Sequence, residues 1–346
     1  MRAQAPVVSR MGGTRRRAIR PRAVVVCGLL AAAVLLVCVV ALGVGDISVS
    51  PGEVVSVLLG GGERTDRLVV IEWRLPRVLA AVVFGAALAV SGAIFQSLTR
   101  NPLASPDILG FSAGSHTGAL IVIILFSGGY AEVASGALAG GLLSAVGVYL
   151  LSVRTGLQGF RLIVVGIALA STLGAVNTWM LLRADRDAAM TATAWGTGTL
   201  STVTWDRVVP ATVLIVVVLI VLRLLAPLLS HLELGDDAAR ALGLRVESAK
   251  LALIVVGVAL IAVPTAISGP IAFVALAAPH IARLLLRGRA LVLTATALTG
   301  SLVLATADLT AQHLWRTPLP VGVATVVLGG AYLVWLLLYE IRRTRS

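Results

Sequence analysis

Residues 74–118 read RLPRVLAAVVFGAALAVSGAIFQSLTRNPLASPDILGFSAGSHTG. From Val78 to Leu98 the stretch carries no charge over 21 residues. About 20 apolar residues as helix cross a hydrocarbon layer roughly 30 Å thick. Arg100, Asn101 and Pro102 interrupt the run, and a second apolar run begins at Asp107. Pro102 and Pro106 stop helices and Asn101 is a residue type that caps them. The stretch therefore reads as two membrane spans joined by a tight turn.

The rest of the chain agrees. Of 346 residues 58% are apolar and only 13% charged, and the mean hydropathy is +0.99. Soluble domains run at about 45–50% apolar and about 25% charged. An ordinary soluble enzyme, a disordered chain and a disulfide scaffold are excluded. Aromatics supply only 5%, while glycine alone supplies 35 residues; small residues let membrane helices approach closely. Cys27 and Cys38 share one apolar run and read as small buried hydrophobes.

Ten candidate spans follow: 23–45, 78–98, 107–127, 132–153, 162–182, 208–227, 251–268, 270–286, 291–308 and 321–340. The expected fold is an all-α polytopic membrane protein. Arginines before the first run also resemble a signal peptide, but the run is long and no small-residue cleavage site follows, so a basic cytoplasmic tail over 1–22 and a ten-helix membrane domain over 23–346 are expected. With the N-terminus inside and ten spans, 20 of the 28 basic residues fall inside and eight outside. That is the bias which orients membrane proteins, and it places both termini in the cytoplasm. The net charge of +12 then reflects orientation, not nucleic-acid binding. Segments 46–77 and 183–207 become external loops, each long enough for short interfacial helices. Segment 228–250 (LLSHLELGDDAARALGLRVESAK) becomes the one sizeable cytoplasmic loop, with two short helices broken at Gly235 and Gly243.

Catalytic chemistry is missing from the inventory. There is no GxxxxGK[ST] phosphate loop, and the sole lysine, Lys250, precedes Leu251. The four histidines lack metal-ligand spacing. Asp107, Glu132 and Asp308 fall near span ends, within reach of water, which disfavours an ion-coupled secondary carrier without removing it. Energy for uphill transport is expected from another subunit.

Within the inside loop, Asp237-Ala238-Ala239-Arg240-Ala241-Leu242-Gly243 forms a D-A-A-x-x-x-G string. It reads either as an amphipathic interfacial helix with a glycine stop or, by its similarity to the EAA-type loop of ABC importers, as a lever against a cytosolic ATPase. The 74–118 stretch, GPIAFVALAAPHIAR (269–283) and LPVGVATVVLGGAYLVWLL (319–337) resemble the FecCD/vitamin-B12-type family of ABC importer permeases, from about residue 46 onward. SGAIFQSLTRNPLASPDILGF, LELGDDAARALGL and ADLTAQHL are similar to the G-type permease subunit of ferric-enterobactin importers. Many members carry Arg near Gln312 and Glu near Pro318, and this chain does not.

The resemblance implies a type II importer fold in the cytoplasmic membrane of a bacterium. It also implies a D-type permease partner in a heterodimer, two cytosolic ATPase subunits and an extracytoplasmic substrate-binding protein. The permease would hold no cofactor or metal of its own: ATP acts through the partner, and iron enters only as ferric-siderophore cargo, with cobalamin or haem as the alternatives. Arg74 and Arg77 are expected to dock the binding protein through charge-assisted bonds, with interfacial snorkelling as the bland alternative; Arg316 is a third candidate, replacing the basic residue missing at Gln312. Gly235, Asp236, Asp237, Ala238, Ala239 and Gly243 are assigned to ATPase coupling. Asn101 and Pro102 are assigned to a structural turn. Pro279, His280 and Arg283 form a gating motif, in which His280 either responds to pH or simply packs through a hydrogen bond.

Overall fold

The computed structural model describes residues 21–153, 159–287, 293–315 and 317–344. Every regular element among them is helical. In chain order these are α1 (Pro21–Gly43), α2 (Pro51–Leu58), α3 (Arg64–Arg67), α4 (Leu75–Thr99), α5 (Phe111–Phe126), α6 (Tyr130–Val153), α7 (Gly159–Arg183), α8 (Arg186–Gly196), α9 (Trp205–Glu233), α10 (Asp236–Ala241), α11 (Val246–Ser268), α12 (Val274–Leu286), α13 (Leu293–His313) and α14 (Val321–Thr344). In lipid each backbone N–H and C=O must be satisfied within the segment, which is why apolar runs of this kind become helices.

Seven of the described helices are long and apolar enough to cross a membrane, and Phe111–Phe126, Val274–Leu286 and Val321–Val334 are shorter apolar helical stretches. Together they coincide with the ten runs seen in the sequence, though several boundaries differ. The segment 46–77 is not a loop throughout. A π-helical stretch, Leu68–Arg74, joins α3 to α4, so Arg64–Thr99 is one continuous helical rod of 36 residues. By contrast, 228–250 contains one free-standing short helix, not two: α9 continues to Glu233, α11 starts at Val246, and only α10 lies between. Periodicity could not separate these cases, because apolar residues run around the whole circumference of α9.

The core is built on α4. Phe84, Leu88, Ile94 and Phe95 are fully buried and join one cluster with residues of α9, α11, α12 and α13. By contrast α1, α7 and α9 present broad apolar faces outward, as lipid requires.

Small residues set how close these helices lie. An ideal Cβ on Gly92 of α4 would sit 1.7 Å from the carbonyl oxygen of Ala275 in α12. Pro279 lacks the N–H that would occupy that carbonyl four residues upstream, so the freed oxygen turns onto the glycine of the neighbouring helix. Gly114 and Gly118 of α5 are matched likewise to Gly140 and Gly136 of α6. Gly330 of α14, by contrast, faces open space. Gly92→Ala should therefore force α4 and α12 apart and destabilise the protein by about 1–3 kcal/mol, the range for overpacking, while Gly330→Ala should be tolerated. Thermal unfolding of the detergent-solubilised protein checks both.

Candidate functional site at the two ends of α4

α4 ends at Arg100, whose backbone is left-handed (φ 53°, ψ 30°). Glycine is the usual occupant of such a position because other residues pay about 1–2 kcal/mol there. The Arg100 guanidinium reaches Asp236 Oδ1 at 2.8 Å and the carbonyl of Leu232 at 3.4 Å. The other carboxylate oxygen, Asp236 Oδ2, accepts from Lys250 Nζ at 2.6 Å. One acid at the start of α10 thus binds a cation from α4 and another from α11. The Lys250 side chain is only 7% exposed, against 30% for Asp236 and 51% for Arg100.

α10 itself spans six residues. Asp236 and Asp237 occupy its first turn and Arg240 its last, the arrangement that suits the helix dipole. Its end is a Schellman motif: Leu244 N–H donates to Ala239 O at 3.0 Å and Gly243 N–H to Arg240 O at 2.9 Å, with Gly243 at φ +84°. Ala239 is fully buried against the core cluster. Asp237 and Ala238 face outward, flanked by Leu234 at 65% exposure and Leu242 at 64%. Arg240 pairs with Asp237 at 3.1 Å and with Glu247 at 3.3 Å. The two neighbouring acids therefore differ: Asp236 is tied inward and Asp237 is presented.

The same turn of α4 holds two further helices. Gln96 Nε2 donates to Leu276 O of α12 at 3.0 Å, and Gln96 Oε1 accepts from Arg283. Ser97 Oγ donates to Glu233 Oε1 of α9 at 3.3 Å. Beyond α4, Asn101 forms an Asx turn, its Oδ1 accepting from Leu103 N–H at 2.9 Å, and Pro102 is exposed beside it. Asn101 thus shapes the turn and does not cap α5. His280 Nδ1 is hydrogen-bonded to the Tyr332 hydroxyl of α14, which fits its packing role. A cavity of about 170 Å³ lies above this contact, between α12, α13 and α14, lined by Phe273, Ile281, Val303, Thr325 and Leu328 among others. Pockets that enclose small molecules typically measure about 300–1,000 Å³, so this one does not hold a bulky cargo.

At the far end of α4 the expected docking arginines are engaged within the chain. Arg77 makes a bidentate pair with Asp308 of α13, both bonds at 2.8 Å, and the side chains are 15% and 7% exposed. Gln312 Nε2 donates to the same carboxylate at 2.7 Å. Asp308 is thus buried and neutralised, not water-facing as its place near a span end implied. Arg74 donates to the carbonyls of Leu42 at 2.8 Å and Ile47 at 2.5 Å, which fastens the segment after α1. Arg77 is accordingly engaged with α13 within this chain. Arg316 lies outside the described residues. Arg100, Lys250, Gln96 and Glu233 were not singled out in the sequence. An arginine directly after an uncharged span and the sole lysine of the chain were the available signals.

Removing one partner of a buried ion pair strands the other charge, at a cost of about 3–5 kcal/mol. Arg77→Ala should lose about that much stability in thermal or denaturant unfolding. Arg77→Met combined with Asp308→Leu should recover most of the loss, because a packed apolar pair replaces the buried ions without a stranded charge.

Comparison with known proteins is consistent with this architecture. The model of the FecCD transport family matches residues 32–339. The ferric enterobactin transport system permease protein FepG of Escherichia coli is 45% identical over 93% of this chain and 98% of its own length. The vitamin B12 import system permease protein BtuC of Vibrio cholerae is 36% identical over 89% of this chain and 92% of its own. A solved ABC transporter assigned to the metal-chelate type, in an inward-facing conformation, superposes with a TM-score of 0.82 at 27% identity, covering 91% of this chain and 99% of that one. The chain is a multi-pass protein of the cytoplasmic membrane that belongs to the FecCD transport family.

Proposed function

We propose that this chain is the permease subunit of an ABC importer for a ferric siderophore, with ATP hydrolysed by separate cytosolic ATPase subunits that dock on α10. The observation that carries the coupling role is α10 itself. It is seated by buried Ala239, tied to α4 and α11 through Asp236, and flanked by exposed Leu234 and Leu242. Exposed large apolar side chains at either side of a short helix suit a partner protein. The cargo class rests on the likeness to FepG and to the Fe(3+)-citrate permease YfmE of Bacillus subtilis, 34% identical over 96% of this chain. Cobalamin and haem permeases are also related and remain the rival cargoes.

In this reading all ten apolar helices cross the membrane with both termini inside, and α10 is cytoplasmic. A second, D-type permease completes the passage, and a binding protein delivers cargo from outside. Arg74, bonded to carbonyls and not to a carboxylate, is the stronger candidate for that docking, whereas Arg77 is paired with Asp308. No tight cargo site is needed within the permease. Nucleotide-driven closure of the ATPases supplies the differential contact energy that shifts the passage between states.

Cells lacking this chain should fail to accumulate ferric enterobactin while still taking up cobalamin. Ala239→Pro should unseat α10 and abolish uptake while the protein still inserts in the membrane. Loss of cobalamin uptake alone would reassign the cargo. Normal uptake by the Ala239→Pro protein would remove α10 from the mechanism.

A further inference from the structure

We infer that the last turn of α4 receives the displacement of α10 through the Asp236–Arg100 ion pair and passes it on to α9 and α12, which makes Arg100 and Asp236 positioning residues for transport. The inference rests on the reading of α10 as the ATPase contact.

Three independent features point to it. Arg100 occupies a left-handed position that glycine would fill without strain; a side chain is kept there, and its charged end bonds α10. Secondly, α10 meets its covalent neighbours through single glycines with positive φ, Gly235 at +115° and Gly243 at +84°, whereas its side-chain tie through Asp236 bridges two cations at 2.8 and 2.6 Å. Two charge-assisted bonds to one carboxylate are short and directional, so they define where α10 sits relative to the bundle. Thirdly, the receiving turn is already committed to other helices. Gln96 holds α12 through Leu276 O and Arg283, and Ser97 holds Glu233 of α9. Residues 96, 97 and 100 lie within one turn, so α10, α9 and α12 are all referred to the same short length of backbone. That turn ends the 36-residue rod from Arg64 to Thr99, so a tilt imposed there reaches the Arg77–Asp308 pair at the other end.

The test uses the assembled transporter in proteoliposomes, with ATPase, partner permease and a binding protein loaded with ferric enterobactin. It reads ATP hydrolysis and uptake together. Arg100→Gln and Asp236→Asn should assemble and hydrolyse ATP, yet move about five- to a hundredfold less cargo per ATP, the range of ordinary coupling free energies. Arg100→Lys, which keeps the cation, should restore most of the ratio. Arg100→Gly should relieve the backbone strain and match or exceed the parent in thermal stability, yet remain uncoupled; a merely structural role for Arg100 predicts no such split. An unchanged ratio in Arg100→Gln, or no rescue by Arg100→Lys, would overturn the inference. Leu242→Asp separates the two levels. If it abolishes ATPase co-purification while Arg100→Gln transports normally, only the α4 route fails. If ATPase binding survives Leu242→Asp, the α10 reading fails and this inference with it.

Discussion

The burial of α4 is the constraint on which the rest of the molecule depends. Most of this helix has no access to lipid or water, so every polar group along it must find a partner inside the protein. Those partners are concentrated at its ends. Arg77 is satisfied by Asp308 of α13, and Gln96, Ser97 and Arg100 by α12, α9 and α10. Between them the helix is lined mainly with alanine, glycine and large buried apolar side chains, and its one buried serine there, Ser91, donates to the carbonyl of Gly257 in α11 at 2.6 Å. A helix held this way is pinned at both ends, as the inferred passage of displacement along it requires.

Among the described residues, polar bonds join helices to helices. The small cavity beside α14 is apolar apart from Thr306, Thr325 and Tyr332. In the proposed function selectivity and energy come from outside the chain, and what the chain contributes is a bundle whose elements are referred to one another.

Much of the fold was legible in the residues. Uncharged runs of about 20 residues read as spans because lipid leaves the backbone no alternative, and a short helix ending at Gly243 was visible from its glycine stop, although two helices were expected where only α10 lies between α9 and α11. The pairing of residues was not. Asp308 looked water-facing because sequence gives depth along a helix but not its neighbours; the partner, Arg77, is 231 positions away. The two outer arginines looked equivalent in the R-L-P-R string, yet one clasps a carboxylate on α13 and the other two carbonyls near α1. Asp236 and Asp237 likewise looked alike, although the 100° step between adjacent helical residues sends one inward and the other out. The continuation of α4 back to Arg64 was hidden because a π-helical stretch has no distinctive composition.

The central claim is that α10 and the end of α4 move as one body. Spin labels at Leu103→Cys and Ala241→Cys, with Cys27 and Cys38 replaced by serine, report their separation by pulsed electron resonance in the complete transporter. The account predicts the same distance with and without a non-hydrolysable ATP analogue, within the ~1–2 Å of ordinary helix adjustments, while both labels move relative to the partner permease. A change of several ångströms between the two labels on nucleotide binding would contradict it.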